Sequence, residues 1–315
     1  MSALGRVLVA GSANLDFVVR AESIPAPGET VLGREFQTFP GGKGANQAVA
    51  AARAGGAPTR MLLALGDDAH AAPVEASLRA AGVALDIRRQ AAHATGVAFI
   101  CLSDGAENAI TVAPGANAAL VADDLPDLDG VDTLLLQLES PLDAVAAWSA
   151  RARAAGVRVA LNAAPARALP DALLRDVDVL IVNEGELAML AGDDGDLIGA
   201  LQRLPVQVAI VTLGAAGCIA REGARLHLQP AFPVAAVDTT AAGDTFCGVL
   251  VAALARGEPL PGAMRAAAAA SALACTALGA QSSVPARADV DALLRGDADA
   301  AGLDALAARC ASSAA

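Results

Sequence analysis

The chain has 315 residues, 55% of them hydrophobic, and a formal net charge of −12 at pH 7, a length that suits one large domain or two modest ones and allows a substantial core. The acid excess, with a pI near 4.6, argues against nucleic acid and anionic membrane as partners. Alanine supplies much of the mean hydropathy of +0.49, and the most apolar run, residues 266–280, is broken by Ser271 and Thr276. That run falls short of the roughly 20 strongly apolar residues a membrane span needs and reads as a packed helix.

Cys101, Cys218, Cys247, Cys275 and Cys310 are scattered and never spaced as C-x-x-C, so neither a disulfide framework nor a thiolate metal site is indicated. The N-terminus has no charged region leading into a long apolar stretch, and a cytoplasmic protein is expected. His70, His93 and His227 lie far apart without ligand spacing.

Residues 7–10 form a short continuous apolar run ending in Gly11-Ser12, the pattern of a buried parallel strand. Asn14 and Asp16 follow directly. Ligands of open α/β sheets bind outside the carboxyl ends of the strands, so both side chains are placed to meet one, although an Asx-type turn explains them equally well. The first strand leads to Gly11-Ser12-Ala13-Asn14 and not to a glycine fingerprint, which argues against a nicotinamide-dependent oxidoreductase.

Residues 17–39 change character around the turn Pro25-Ala26-Pro27-Gly28, and a similar extended pattern returns at 95–112 with the turn Ser103-Asp104-Gly105. Phe17, Phe36, Phe39 and Phe99, four of the six phenylalanines, fall in these two regions. The expectation is a small β-sheet lid with the active site on one side and a second subunit on the other, giving a homodimer.

Between these regions Pro40-Gly41-Gly42-Lys43-Gly44-Ala45-Asn46-Gln47 opens an alanine-rich helix through Ala54. The glycines permit close approach of a ligand, and Lys43 and Asn46 offer donors; the segment is not a Walker A loop. After Gly130, strands at 133–138, 157–161, 179–182 and 208–212 alternate with helical stretches. This alternation predicts a three-layer, doubly wound, mostly parallel α/β sheet with helices on both faces. Polar residues stand at the strand ends: Glu139, Asn162, Asn183 with Glu186, and the run Thr212-Leu213-Gly214-Ala215-Ala216-Gly217. Each is compatible with an ordinary helix cap; together at one edge they mark a site.

The stretch at 237–256 carries the most chemistry. Ala241, Ala242 and Gly243 let a ligand approach the backbone closely, and the first-turn N–H groups of the apolar helix that follows make a ready anion site. Asp244 either caps that helix or acts as a base, because a carboxylate beside bound phosphate is otherwise repelled. A base aimed at a hydroxyl, with amides beside it to hold developing negative charge, is the minimum apparatus for phosphoryl transfer.

Read together, Gly11-Ser-x-Asn14-x-Asp16, Pro27-Gly28-Glu29-Thr30, Gly41-Gly42-Lys43-Gly44-Ala45-Asn46-Gln47-Ala48, Gln137-Leu138-Glu139-Ser140 and Asn162 with Ala164-Pro165-Ala166-Arg167 resemble the PfkB family of carbohydrate kinases. So do Asn183-Glu184-x-Glu186, Thr212-Leu213-Gly214, Asp238-Thr-x-Ala-Ala-Gly243-Asp244-Thr245-Phe246 and Gly279-Ala280-Gln281. The combination with Glu139 and Gly279-Ala280-Gln281 narrows the resemblance to the branch whose acceptor is ribose. It covers nearly the whole chain and implies one domain over residues 1–310, with the lid built from about 17–39 and 95–112.

The resemblance implies that Asp244 takes a proton from the sugar 5-hydroxyl as it attacks the γ-phosphate of ATP, with the amides of Ala241, Ala242 and Gly243 holding the transferring charge. Asn14, Asp16, Gly42, Lys43, Gly44, Ala45, Asn46 and Glu139 would hold the acceptor. Asn183, Glu186, Thr212, Leu213, Gly214, Ala215, Ala216, Gly217 and Gly243 would line the nucleotide side, Asn183 and Glu186 acting near Mg²⁺ through water. An activating K⁺ would take the Asp238 carboxylate, the carbonyls of Thr240, Ala274, Ala277 and Gly279, and Ser283.

A sugar phosphate acceptor calls for an arginine or lysine cluster, whereas the implied sugar site has one lysine among amides and carboxylates. A nucleoside wants an aromatic wall, and the chain has no Tyr and one Trp. D-ribose therefore ranks first, then deoxyribose or another sugar, then a nucleoside. The alternative of a different class, a non-catalytic sugar sensor, is expected to lose the base or the anion site, and Asp244, Gly243 and Asp238 are all present.

Overall fold

Strands that are apolar throughout need cover on both faces. The computed structural model, which describes residues 5–105, 108–192 and 195–296, supplies it with two helical layers. The first half of the chain runs β1 (Val7–Ala10), β2 (Asn14–Ala21), β3 (Gly33–Gly41), α1 (Lys43–Arg53), β4 (Thr59–Gly66), α2 (Ala71–Ala80), β5 (Ala84–Gln90), β6 (Gly96–Leu102) and β7 (Asn108–Ala113). The second runs β8 (Thr133–Leu136), α3 (Leu142–Ala154), β9 (Arg158–Asn162), α4 (Asp171–Asp176), β10 (Val179–Asn183), α5 (Glu184–Ala191), α6 (Leu197–Arg203), β11 (Val208–Thr212), β12 (Cys218–Glu222), β13 (Arg225–Gln229), α7 (Ala242–Ala255), α8 (Leu260–Ala274) and α9 (Arg287–Leu294).

Nine strands form the main sheet in the order β13-β12-β11-β10-β9-β8-β1-β4-β5. Every pairing is parallel except β11–β12 and β12–β13 at one edge. The side chains of β1 show how the layers form. Val7 and Val9 join a core with residues of α1, α2, α7, α8 and α9, while Leu8 and Ala10 join the opposite core with residues of α3, α4, α5 and α6. The three-layer, mostly parallel architecture expected from the sequence is the one observed.

The bounds of β9 and β10 differ from the sequence reading by one residue, and those of β8 and α8 by more. The strand expected over 133–138 stops at Leu136, because Gln137 turns its amide into a polar network and Leu138 N–H bonds the Ala164 carbonyl (2.9 Å). The helix expected over 266–280 ends at Ala274. Thr276 and Ala277 N–H groups bond the carbonyls of Leu273 and Ala274, and Gly279 takes a φ of 92° and donates its N–H to Asp238 (2.9 Å).

A second sheet of four strands, ordered β3-β2-β6-β7, stands apart from the first. Its register puts Asp16, Val18, Ile100 and Ile110 on one face and Phe17, Val19 and Phe99 on the other. Phe17 stacks on Phe36 and Phe99 at centroid separations of 6.0 and 5.5 Å. Phe39 pairs with Asp16 and so faces the other way. Phe36, Phe99 and Ile110 are 64%, 56% and 55% exposed, so both faces keep large apolar side chains in solvent. No helix among the described residues is long and apolar enough to cross a membrane. Cys310 and the expected domain end at residue 310 lie outside the described residues.

Candidate active site

The loop after β1 and the start of α1 are pressed together, and glycine makes this contact geometrically feasible. A Cβ on Gly44 would stand 2.7 Å from the backbone of Gly11 and Ser12, and one on Gly42, whose φ is 89°, would stand 2.9 Å from the backbone of Ala13 and Asn14. The Ser12 hydroxyl donates to Glu139 Oε2 (2.6 Å), which also accepts the Lys43 N–H (3.1 Å). Glu139, from the loop after β8, thereby ties β1 to α1. Asn14 Oδ1 accepts from Asn117 Nδ2 (2.8 Å), and Asn117 also brackets the backbone of Ala13.

The carboxylate of Asp244, in the first turn of α7, receives two amide N–H groups from α1: Asn46 Nδ2 to Oδ2 and Gln47 Nε2 to Oδ1, both at 2.9 Å. With this contact the structure unites Asn14, Asp16, Gly42, Lys43, Gly44, Ala45, Asn46, Glu139 and Asp244 at the carboxyl edge of the sheet. Two buried acceptors in this basin, Asp16 Oδ1 and Asn46 Oδ1, have no partner among the described residues. Buried acceptors without donors are costly, and they mark where a ligand's hydroxyls would fit.

The basin is acidic. Burial, then the carboxylates of Glu139 and Asp244, push the Asp16 carboxyl up to about 7. The Asp244 carboxylate raises Lys43 against the opposing effect of burial, with Glu139 and Glu186 adding to it, so the ammonium stays charged. Burial also raises Glu186, partly offset by the Asn183 N–H and by Lys43.

At the start of α7, Ala241 adopts φ 57°, ψ 14°, the only non-glycine residue with positive φ among the described residues. Such strain persists where the surroundings enforce it, commonly at functional sites. Of the three amides singled out in the sequence, that of Ala242 is engaged by the Thr239 carbonyl (3.2 Å), and the first helical bond is Thr245 N–H to Ala241 O (2.8 Å). The N–H groups of Gly243 and Asp244 lie between these two and have no backbone acceptor among the described residues. A Cβ added to Gly243 would meet open space.

Asn183 and Glu186 form a capping box at α5. Glu186 N–H donates to Asn183 Oδ1 and Asn183 N–H to Glu186 Oε2, each at 2.8 Å. The amide oxygen of Asn183 is thus committed to the helix and its amino group is what remains, a donor that suits phosphate or water and does not ligate a cation. Glu186 retains its other carboxylate oxygen. At the end of β11, Thr212 Oγ1 donates to the Val182 carbonyl (3.3 Å) and Leu213 N–H to Gly217 O (2.8 Å). Gly214, Ala215 and Ala216 make a short 3-10 turn between them.

Asp238 joins the loop before α7 to the turn after α8. Its Oδ1 accepts from the Thr240 N–H (2.9 Å) and hydroxyl (2.6 Å), and its Oδ2 from Gly279 N–H (2.9 Å). Burial opposes ionisation, but these hydrogen bonds outweigh it and hold the carboxyl below its ordinary value. The carboxylate and the Thr240 and Gly279 backbones are therefore together. Ala274 O accepts the Ala277 N–H (3.3 Å), and the Ser283 hydroxyl donates to Ala280 O (3.0 Å). An all-oxygen donor set of this kind fits a hard cation.

Ser12, Gln47 and Asn117 were not assigned roles from the sequence. Gln47 is fully buried and bonds a carboxylate 197 residues away; its signal in the chain is its place beside Asn46 in the glycine-rich motif.

An α/β sheet that gathers carboxylates, amides and one lysine against the open first turn of a helix has the fold and site of a phosphoryl-transferring sugar kinase. Residues 5–287 match the family described as pfkB family carbohydrate kinase. The chain is 38% identical over 293 residues to a ribokinase of Bacillus subtilis, covering 91% of this chain and 99% of the relative. It is 34% identical over 293 residues to a deoxyribokinase of Salmonella typhi, covering 89% and 95%. The Arabidopsis thaliana ribokinase structure complexed with ribose and ATP superposes with a TM-score of 0.85 at 34% identity, covering 92% of this chain and 99% of that one. The chain belongs to the PfkB family of carbohydrate kinases and is an ATP-dependent sugar kinase.

Proposed function

We propose that the protein transfers the γ-phosphoryl group of ATP to the 5-hydroxyl of D-ribose, giving ribose 5-phosphate and ADP, with Asp244 as the general base. The observation that carries this reading is the pair of buried, unpartnered acceptors, Asp16 Oδ1 and Asn46 Oδ1, beside the acceptor-rich Glu139 and Asp244. Such a set asks for a ligand rich in hydroxyl donors and repels one already bearing phosphate. 2-Deoxyribose is the alternative acceptor, given the similarity to the Salmonella deoxyribokinase.

Asp244 accepts the hydroxyl proton as the sugar oxygen bonds to the γ-phosphorus, the bond to the β,γ-bridging oxygen breaks, and ADP departs with that electron pair. The free N–H groups of Gly243 and Asp244, joined by Ala241 and the Lys43 ammonium, meet the charge on the transferring group. The 212–217 turn and the Asn183 amino group serve the nucleotide. Mg²⁺, held by the ATP phosphates and through water by Glu186, would neutralise phosphate charge. K⁺ at Asp238, Thr240, Ala274, Ala277, Gly279 and Ser283 would fix the loop that leads into α7.

The four-stranded sheet is assigned as a lid over the acceptor, its Asp16-bearing face toward the site, and as the dimer contact through its other face, which the exposed Phe36 and Phe99 support. Dependence on ATP favours the cytoplasm. Asp244→Asn tests the chemistry. Turnover should fall by about 10³-fold or more, in the range of a lost general base, while sugar and nucleotide still bind. Substantial residual activity would remove Asp244 from that role.

A further inference from the structure

Asp244 is joined to a set of buried amide side chains. Gln47, Gln137 and Asn162 are 0%, 1% and 8% exposed. Gln47 Nε2 uses one hydrogen on Asp244 Oδ1 (2.9 Å) and the other on Asn162 Oδ1 (3.0 Å). Gln137 Nε2 donates to Gln47 Oε1 (2.7 Å), and Asn162 Nδ2 donates to the Ile181 carbonyl (3.2 Å).

Every amide here has two orientations, and the main chain selects one. A backbone carbonyl only accepts, so Asn162 must turn its amino group to Ile181 and its oxygen to Gln47. Gln47 must then turn its amino group toward Asn162, and the second hydrogen of that group is left pointing at Asp244. Gln137 supports the same polarity at the cost of a buried oxygen, Oε1, which has no partner among the described residues. Flipping Gln137 would set its oxygen against that of Gln47.

We propose that Gln47 is a positioning residue for phosphoryl transfer, its donor polarity set by the Ile181 carbonyl through Asn162, and that it holds the Asp244 carboxylate in one orientation. The proposal rests on Asp244 being the base. Asn46 grips the other carboxylate oxygen, but Asn46 also has a free acceptor in the sugar basin; Gln47 has no atom left for substrate. Its contribution therefore belongs to the rate of the chemical step, not to binding.

The test is the split between kcat and KM for Gln47→Leu, which keeps the volume and removes the donor, beside Asn162→Leu and Asp244→Asn. The charged groups around Asp244, namely Asp16, Lys43, Glu139 and Glu186, all remain in the first two variants. Gln47→Leu should lower kcat by about 10- to 100-fold, as displaced catalytic groups do, with KM for sugar and ATP within about twofold. Asn162→Leu, which frees Gln47 to rotate, should lower kcat the same way by less, and stands in if Gln47→Leu fails to fold. An inactive Asp244→Asn beside variants of wild-type kcat would overturn the role of Gln47 alone. An active Asp244→Asn would overturn the base and this proposal together.

Discussion

Lowering the pH from 8 to 6 should weaken acceptor binding about tenfold, and Asp16 is the cause. Its carboxyl titrates at about 7 against an ordinary value of 3.8, because of burial first and then the nearby Glu139 and Asp244 carboxylates. A sugar hydroxyl donates to the ionised carboxylate and competes with a proton for it. The folded value is raised, so between pH 4 and 7 the ligand-free protein holds a proton that binding must expel. For one proton titrating near 7, the ionised fraction is about 0.9 at pH 8, one half at pH 7 and 0.1 at pH 6. The dissociation constant should rise accordingly, and about half a proton should leave per sugar bound at pH 7. Calorimetric titration of ribose in two buffers of different ionisation enthalpy reads both quantities. Asp16→Asn should weaken binding at pH 8 by about 1.5–3 kcal/mol, the worth of hydrogen bonds to a charged group, and should abolish the pH step. A wild-type dissociation constant that is flat from pH 6 to 8 would refute the reasoning. A step that persists in Asp16→Asn would remove Asp16 as its cause.

Asp238→Ala cuts the tie among Thr240, Gly279 and the carboxylate, so activity should lose its stimulation by K⁺ over a large organic cation; stimulation of undiminished size in the variant would remove Asp238 from that site. Phe99→Asp puts a charge on the exposed phenylalanine face of the small sheet. Light scattering should report a dimer for the wild type and a monomer for this variant; a dimer mass in both would exclude that face as the contact.

β1 and β11 were legible to the residue, because central parallel strands are apolar throughout and stop where the polar edge begins. The paired regions at 17–39 and 95–112 were legible as a separate sheet from their turns and phenylalanines, but not the split of those aromatics between faces, which depends on register: Phe39 opposes Asp16 while Phe17 opposes Phe99. The end of α8 was hidden, since an alanine-rich run carries no periodic contrast. What stops the helix is a tertiary bond from Gly279 to Asp238. In the site, residues of distinctive chemistry beside glycine turns, such as Lys43 and Asp244, stood out in the chain. Gln47, Asn117 and Ser12 did not, because their roles consist of partners 197, 103 and 127 residues away. Asn183 and Glu186 were legible as a pair, and the capping box they form is the ordinary reading that their spacing also allowed.

The central claim, that this basin takes ribose and phosphorylates it, is tested most directly by ADP formation with Mg·ATP and K⁺ across D-ribose, 2-deoxyribose, fructose, fructose 6-phosphate and adenosine, compared as kcat/KM. The account predicts D-ribose foremost, 2-deoxyribose behind it and fructose 6-phosphate last among the sugars. Preference for fructose 6-phosphate or adenosine would contradict the reading of Asp16, Asn46 and Glu139 as a hydroxyl-binding set.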